Sequence, residues 1–550
     1  MSDKRYVFGG NNIIQLFLGN TSLNKSSKNS STIARSAGVV SIAVMLSRLL
    51  GLVREQAFAA LFGAGYAYDA FVVAFRIPNL LRDLFGEGAL SAAFVTVFSD
   101  YDTNKTKEET WLLASNVLCV FVIGLSVLSL LGCAFAPTIV DLLAPGFAKE
   151  PGKTDLTVYM TRIMLFFLVF ISLAAVVMGM LNTKGRFFVP ALASSFFNLG
   201  SIIGGVSLAY ILPRYGQEPI VGMAIGTLIG GFMQLSIQLP ALRRIGFRFT
   251  PNINLKDPGL LRILRLMGPA TIGLSAVQLN IFINTNFAAS CAQGSVSWLN
   301  YAFRLVQLPI GIFGVALSIA MMPVLAKQAA RKEIDEMKTT LISSLVMVFA
   351  LTVPATAGLI FLSEEIIRLI FEHGVFTDHD TRATAATLSC YAVGLFAYSA
   401  NKILVPAFYA IDQTRYPVIA SFLAVGMNIF FITLTIDTFQ HLAIALSTSI
   451  TMLINFMFLI SVLYLKIGGL DLRYLLNGFC KTVAGSLVLA IAVVGCKALM
   501  GDMMGGNVLQ QLIGVLTTIV CAAALYCIVL HFLRLNEFTV LVRKVQSRLN

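Results

Sequence analysis

The sequence contains little charge. Only 12% of its 550 residues are Asp, Glu, Lys or Arg, whereas a soluble globular domain carries about 25%, and 57% are hydrophobic. Its 8 cysteines are scattered through apolar segments without paired spacing, which argues against a disulfide framework or a cysteine metal site. No nucleophile lies in a recognisable pairing with a base. These shortages exclude a soluble globule and give no support to an enzyme, and we expect no cofactor.

Long apolar segments repeat along nearly the whole chain. About 20 such residues span the hydrocarbon core of a bilayer as a helix. The pattern therefore predicts an all-α polytopic membrane protein with fourteen transmembrane helices, at 34–61, 67–98, 111–135, 156–182, 190–212, 219–241, 260–287, 296–326, 338–361, 383–411, 417–437, 441–465, 475–499 and 508–534.

Lysine and arginine are concentrated in alternate connections, and this bias predicts orientation. With a cytoplasmic N-terminus, most basic loop residues fall inside, and the outer connections hold only Lys149, Lys153, Arg214, Arg368, Arg382 and Lys497. We therefore expect both termini to lie in the cytoplasm. The net charge of +13 follows from this bias, and no soluble basic face suggests nucleic acid.

The second half of the sequence repeats the first at an offset of about 228–230 residues. "AFRIPNLLRDLFGEGALSAAFV" from Ala74 aligns with "AFRLVQLPIGIFGVALSIAMM" from Ala302, and Asn182 aligns with Asp412. Six helices per repeat keep both copies in one orientation. We predict two parallel six-helix lobes around a central cationic cavity (33–241 and 259–465), a basic cytoplasmic linker (242–258), two accessory helices (466–534), a disordered polar tail (1–32) and a basic tail (535–550).

Five arginines interrupt the apolar segments: Arg48, Arg54, Arg76, Arg82 and Arg304. An arginine near mid-bilayer costs between about 2.5 and 17 kcal/mol, so it normally faces a cavity or a partner. The planar guanidinium donates two parallel hydrogen bonds and suits phosphate. With few carboxylates at the same depth, the pattern predicts an anion-binding site. The alternative is a set of interhelical ion pairs, such as Arg48 with Glu55, or Arg82 with Asp83 or Glu87.

Polar side chains form a narrow stripe on two of the predicted helices. At 100° per residue, one stripe holds Asp69, Arg76, Asn79, Asp83 and Glu87, and the other holds Ser297, Asn300, Arg304 and Gln307. Such stripes are typical of helices that line a water-filled cavity. We predict that Arg48, Arg54, Arg76, Asn79, Arg82, Ser297 and Arg304 bind the substrate, and that Asp69, Glu87 and Gln307 act as gate or conformational residues. Lys402 receives no assignment.

Two glycine-containing motifs are given structural interpretations. Gly222, Gly226 and Gly230 are spaced for close helix packing. Gly146–Thr154, "GFAKEPGKT", resembles a phosphate loop. It has five residues where the motif has four, and no strand precedes it. We therefore expect no nucleotide site.

Several sequence blocks resemble those of the MurJ/MviN family. They are "SRLLGLVRE", "FGAGYAYDAFVVAFRIPNLLRDLFGEGALSAAFV", "APGF" and "GSVSWLNYAFRLVQLPIGIFGVAL", and the likeness runs from about Ser31 to the C-terminus. These are bacterial lipid II flippases of the multidrug/oligosaccharidyl-lipid/polysaccharide exporter superfamily. The resemblance implies export of lipid II, the undecaprenyl-pyrophosphate-linked disaccharide-pentapeptide. The family's essential cavity positions match Arg48, Arg54, Asp69, Asn79, Arg82, Ser297 and Arg304.

Two positions depart from the pattern of the family. Gln307 stands where the family often has an acidic residue one turn after Arg304, and Phe303 replaces a neighbour that is sometimes acidic. The departure argues against a switch built on an Arg304–carboxylate pair, and it leaves anion binding intact.

Other functions and partners stay open at this point. A drug/cation antiporter of the same fold would need buried carboxylates, and a flippase for another polyprenyl-linked glycan would use the same electrostatics. A third alternative is a non-transporting scaffold that recruits cell-wall synthesis proteins. Expected partners are lipid II and membrane lipids. A coupling ion is left undecided, with Asn280, Asn284 and Asp412 as weak ligand candidates.

Overall fold

The structure is a computed structural model that describes residues 27–86 and 88–539, and this part of the chain contains helices and no strand. The predicted tail therefore lies outside the described residues up to position 26, and residues 27–32 begin the first helix. Glu87 also lies outside the described residues. An all-helical fold is confirmed.

The described chain divides into two compact units. The first unit holds residues 27–297 and 373–376. Its helices are α1 (Ser27–Phe62), α2 (Tyr66–Leu81), α3 (Ala89–Asn104), α4 (Lys107–Leu143), α5 (Lys153–Leu165), α6 (Phe167–Thr183), α7 (Phe188–Ile211), α8 (Val221–Ser236), α9 (Leu239–Arg244) and α10 (Pro258–Ser290).

The second unit holds residues 298–372 and 377–539 of the described chain. Its helices are α11 (Ser295–Pro309, which begins in the first unit), α12 (Ala316–Ala330), α13 (Ile334–Phe361), α14 (Ser363–Phe371), α15 (Asp378–Ala392), α16 (Leu395–Ala410), α17 (Arg415–Phe439), α18 (His441–Lys466), α19 (Leu472–Met504) and α20 (Val508–Phe532). The predicted boundaries of the two lobes and of the linker stay predictions.

Ten helical stretches of the described chain are long and apolar enough to cross a membrane. An eleventh is possible if α15 and α16, which meet at a 43° bend, form one span. The predicted spans made by α1, by α2 with α3, and by α10 fall outside that set. In the second of these, Arg76, Arg82 and Asp83 interrupt the apolar run. The count of fourteen spans therefore stays a prediction.

Several helices begin at caps that satisfy their free backbone N–H groups. Thr106 and Glu109 form a capping box at α4, Asn507 and Gln510 form one at α20, and Asp257 accepts a hydrogen bond from the Leu260 N–H at the start of α10. These short polar residues precede apolar runs, so the sequence itself fixes where the helices start.

In each repeat, one π-helical segment interrupts the second predicted helix. Arg82–Gly86 follows α2, and Ile310–Val315 follows α11 at an offset of about 228 residues. A π-helical turn is rare and is found mostly at functional sites. The two π-helical segments lie at corresponding positions of the repeat although their sequences differ. This recurrence supports the internal repeat.

The predicted close packing at Gly222, Gly226 and Gly230 is confirmed. These glycines of α8 face α7, and a Cβ atom on Gly226 would lie 2.5 Å from the Gly205 backbone nitrogen. The two helices can approach each other this closely because glycines lie at their contact.

The predicted accessory helices, α19 and α20, belong to the second unit and pack against its helix α13. The Tyr526 hydroxyl of α20 donates a 2.7 Å hydrogen bond to the Ala350 carbonyl of α13. Phe349 of α13 contacts the rings of Phe396, Phe456 and Phe479 at centroid distances of 5.2–5.9 Å. An aromatic core therefore joins α13, α16, α18 and α19.

Candidate functional site

Four of the five predicted arginines belong to the hairpin formed by α1 and α2. Arg48 and Arg54 lie on α1, Arg76 lies on α2, and Arg82 begins the π-helical segment that follows. All four are in the first unit, whereas Arg304 lies on α11 in the second unit.

Arg54 is held by the residue that follows it. Its side chain is only 9% exposed, and its Nη2 lies 2.8 Å from Oε1 of Glu55. The second oxygen of Glu55 accepts a 2.8 Å hydrogen bond from the Tyr68 hydroxyl on α2. The guanidinium also lies 5.4 Å from the Phe197 ring centroid, and its Nε is enclosed without an acceptor. Glu55 and the Phe197 ring therefore orient Arg54, and its Nε–H donates no hydrogen bond within the described chain.

Arg82 is paired with its neighbour in the π-helical segment. Its Nε and Nη2 donate to Oδ1 of Asp83 at 3.1 and 2.8 Å. Oδ2 of Asp83 accepts a 3.2 Å hydrogen bond from Gln278 on α10. Both members of the pair are about one quarter exposed, so water screens it more than the Arg54–Glu55 pair. The predicted alternative of an Arg82–Asp83 ion pair is therefore present.

Arg48 differs from these two arginines. It is exposed and makes no hydrogen bond or ion pair within the described chain. The alternative that paired Arg48 with Glu55 is wrong, because Arg54 and Tyr68 occupy that carboxylate. Arg76 and Asn79 are half-buried on α2, one turn apart.

Asp69, at the start of α2, is buried and fully hydrogen-bonded. Its Oδ1 accepts from the Ser297 hydroxyl at 2.6 Å and from the Ser297 backbone N–H at 2.9 Å. Its Oδ2 accepts from the Gly294 N–H at 2.8 Å and from Lys153 at 3.2 Å. We call these four residues the Asp69 clasp. It joins the start of α2, the start of α5 and the chain entering α11, all within the first unit.

Sequence reasoning missed Lys153, the cation of the Asp69 clasp. Its side chain is 2% exposed, lies 3.2 Å from Glu150 and sits 4.4 Å from the Phe147 ring centroid. It is the second lysine of the loop "GFAKEPGKT", which was expected to lie in an outer connection without a function. No local pattern reveals the pairing, because Lys153 and Asp69 are 84 residues apart.

Ser297 is buried within the Asp69 clasp, and its hydroxyl is engaged by the carboxylate. Its geometry fits a role in closing the site. On the same helix, Asn300 and Arg304 are half-buried and Gln307 is exposed. Phe303 packs against Tyr391 of α15 at 5.3 Å between ring centroids. Gln307 and Phe303, an amide and a ring, are the departures from the family pattern noted in the sequence.

A second buried carboxylate holds the next residue of the chain. The Trp298 indole N–H donates a 3.0 Å hydrogen bond to Asp380 at the start of α15. Asp380 also completes the capping box with Thr377, and the His441 ring lies 4.8 Å from the indole ring. We call Trp298, Thr377 and Asp380 the Asp380 clasp, which lies within the second unit.

The exposed and partly exposed arginines of the hairpin can bind an anion. Arg48 is exposed, Arg82 is about one quarter exposed beside Asp83, and the Nε of Arg54 is enclosed. Guanidinium groups bind phosphate through two parallel hydrogen bonds, and a charge-assisted bond is stronger than a neutral one. The chemistry of these side chains therefore favours phosphate over an organic cation.

Comparison with known proteins identifies the family. Residues 58–512 match the family described as lipid II flippase MurJ. The chain is 37% identical over 425 residues to a probable lipid II flippase MurJ of Buchnera aphidicola subsp. Acyrthosiphon pisum, covering 77% of this chain and 82% of that protein. It is 37% identical over 378 residues to the lipid II flippase MurJ of Burkholderia cenocepacia, covering 68% and 72%.

Solved structures agree with the sequence comparison. A structure described as lipid II flippase MurJ in an inward closed conformation matches with a TM-score of 0.74 at 29% identity, over 90% of this chain and 99% of that one. An inward-facing multidrug resistance MATE transporter of the MOP superfamily matches with a TM-score of 0.64 at 16% identity, over 78% and 98%, which shows a shared fold. The chain therefore belongs to the MurJ family of lipid II flippases.

Proposed function

We propose that this chain moves lipid II from the cytoplasmic to the periplasmic leaflet of the bacterial inner membrane. Membership of the MurJ family carries the proposal, and the cationic side chains on α1, α2 and α11 supply matching chemistry. The protein is a transporter rather than an enzyme. Lipid II has an anionic pyrophosphate beside a large polar headgroup, so a membrane protein that carries it needs cations at depth.

The pyrophosphate is bound by Arg48, Arg54, Arg82 and Arg304, with Arg76 and Asn79 in support. Arg48 is exposed and available, so it makes the first contact in this account. Arg54 and Arg82 are already oriented by Glu55 and Asp83. In an intramembrane ion pair, the carboxylate offsets part of the free-energy cost of removing the arginine from water. An anion that arrives beside the pair meets a guanidinium that is already oriented.

The Asp69 clasp acts as a gate in this proposal. A buried carboxylate with four donors holds the start of α11 against the start of α2. Alternating access requires such a closure to open once per cycle, exposing the arginines to one side of the membrane at a time. Gln307, exposed on the same helix, is a conformational residue here.

The orientation follows from the basic connections. Exposed Arg243, Arg244, Arg248 and Lys256 lie between α8 and α10, and exposed Lys105 and Lys107 lie between α3 and α4. These connections are cytoplasmic by the positive-inside rule, which places both termini there as well. The membrane potential contributes about 2.3 kcal/mol per elementary charge per 100 mV, so it can bias the reorientation of charged helices.

A depletion experiment tests the proposed function. A bacterial strain is depleted of its own lipid II flippase while this chain is expressed, and the leaflet that holds lipid II is determined with a periplasmic labelling reagent. We expect the wild-type chain to restore growth and periplasmic lipid II, and Arg304→Ala to insert normally without restoring either. Accumulation of lipid II in the inner leaflet despite normal levels of wild-type protein would refute the proposal.

A further inference from the structure

Lys402 is a cation deep in a helix of the second unit. It lies on α16, eight residues before the end of that helix at Ala410. At about 1.5 Å per residue, its Cα lies roughly 12 Å from the helix end. Lysines at this depth normally pair with a carboxylate or face water. Within the described chain, Lys402 has no carboxylate in ion-pair range, and its Nζ lies 5.8 Å from the Tyr398 ring centroid.

The surface around Lys402 differs from the lipid-facing surfaces of the same unit. Lys402 and Tyr409 are exposed on α16, Tyr398 and Val405 are half-buried, and the four residues share one face of the helix. On the following helix, α17, the exposed positions near the middle are mostly apolar, such as Phe422, Phe430 and Leu434, and the exposed Arg415, Asp437 and Thr438 lie near its ends. A stripe with two tyrosines and a lysine fits a polar groove better than hydrocarbon.

Residues of α16 and α11 line the same small cleft. Tyr398, one turn before Lys402, lines this cleft together with Phe303 and Val306. Those two residues flank Arg304 in the sequence of α11. The lysine therefore belongs to a helix that neighbours the predicted substrate helix within one unit.

Lys402 is also absent from the first repeat. The alignment that places Asn182 opposite Asp412 places Ser172 opposite Lys402, and Ser172 is fully buried. The fold can therefore be built without a cation at this position, which argues for a role in binding rather than in packing.

We propose that Lys402 binds a second anionic group of the transported lipid, through its ammonium, with the Tyr398 ring beside it. The group is a phosphate of the pyrophosphate or a carboxylate of the peptide. This inference rests on the proposed function. A lysine offers three donors around a point charge, which suits either oxygen anion.

Binding of purified full-length protein in phosphatidylcholine nanodiscs tests the inference. Three probes are titrated: lipid II, lipid II with amidated peptide carboxylates, and undecaprenyl pyrophosphate. We expect Lys402→Gln and Lys402→Met to weaken lipid II binding about tenfold, since one charge-assisted hydrogen bond is lost, and Lys402→Arg to retain most affinity. The matched control is Lys466→Gln, which removes another lysine beside a tyrosine ring, at the end of α18. It should bind like the wild type.

The three probes identify the anion. If the loss disappears with amidated lipid II, Lys402 binds a peptide carboxylate; if it persists with undecaprenyl pyrophosphate, Lys402 binds a phosphate. Unchanged binding of all three probes by folded Lys402→Gln and Lys402→Met would overturn the inference and make Lys402 a lysine that reaches the membrane interface. Failure of the wild type to bind lipid II would instead refute the proposed function.

Discussion

The Asp69 clasp and the Asp380 clasp occupy corresponding places in the two repeats and use different chemistry. Asp69 and Ser297 are 228 residues apart, which is the offset of the repeat. In the first unit, a carboxylate at the start of α2 meets a lysine at the start of α5. In the second unit, the indole of Trp298 near the start of α11 meets a carboxylate at the start of α15. The contact is an ion pair in the first repeat. In the second repeat, a carboxylate accepts a hydrogen bond from a neutral indole.

This difference sets how each clasp should respond to change. Removing one member of a buried ion pair leaves an unpaired charge, which costs more than the pair contributes. The donors to Asp380 are neutral, namely the Trp298 indole and the Thr377 backbone N–H and hydroxyl, so removing one of them breaks no ion pair. The Asp69 clasp is therefore the more sensitive of the two and the better suited to a gate.

The largest effect is expected from Asp69→Ala. The substitution removes one of the two carboxylates beside the buried Lys153 ammonium and leaves three other donors without their acceptor, so it should lower the unfolding free energy by about 3–5 kcal/mol. Thermal unfolding of the purified protein in detergent measures the loss. Asp69→Asn with Lys153→Met removes both charges and should recover much of the stability. Equal instability of the single and double variants would show that the ion pair is not the controlling interaction.

A smaller effect is expected from Trp298→Phe. This change keeps a ring beside His441 and removes one of the three donors to Asp380, so the loss should be about 1–3 kcal/mol. The same unfolding assay compares it with Asp69→Ala. A loss as large as that of Asp69→Ala would contradict the proposed difference between the two clasps.

The smallest effect is expected from Thr377→Ala. The hydroxyl caps α15 and donates to Asp380, and loss of such a cap costs about 1 kcal/mol. Thr377→Ser keeps the hydroxyl and serves as the matched control. If both variants unfold like the wild type, the capping box makes no measurable contribution.

Much of the fold could be predicted because it depends on local signals. Apolar runs and caps place the helices, and "AFRIPNLLRDLF" and "AFRLVQLPIGIF" reveal the repeat in which both π-helical segments lie. The π-helical conformation itself was not predicted, since it depends on how Arg82–Gly86 and Ile310–Val315 pack. The close helix packing at Gly226 could be predicted because the spacing of the glycines alone brings small residues onto one face of the helix.

Most partners of the site residues could not be predicted, although Asp83 follows Arg82 directly and was named as its alternative partner. Asp69 reaches Lys153 and Ser297 through the tertiary fold, and sequence spacing carries no record of such a contact. The choice of Arg54 over Arg48 as the partner of Glu55 likewise depends on the rotation of α1 beside Tyr68. The residue types were sufficient to predict a cationic site, but not which cations are already paired.

The central claim is that these arginines bind an anion rather than hold the fold together. Lipid II affinity and thermal unfolding should be measured on the same preparations of Arg48→Gln and of the wild type, since the variant removes an exposed guanidinium that has no ion pair with any residue the structure describes. We predict at least a tenfold weaker affinity for the variant, with an unchanged unfolding temperature. A lowered unfolding temperature with unchanged affinity of the folded fraction would contradict the account.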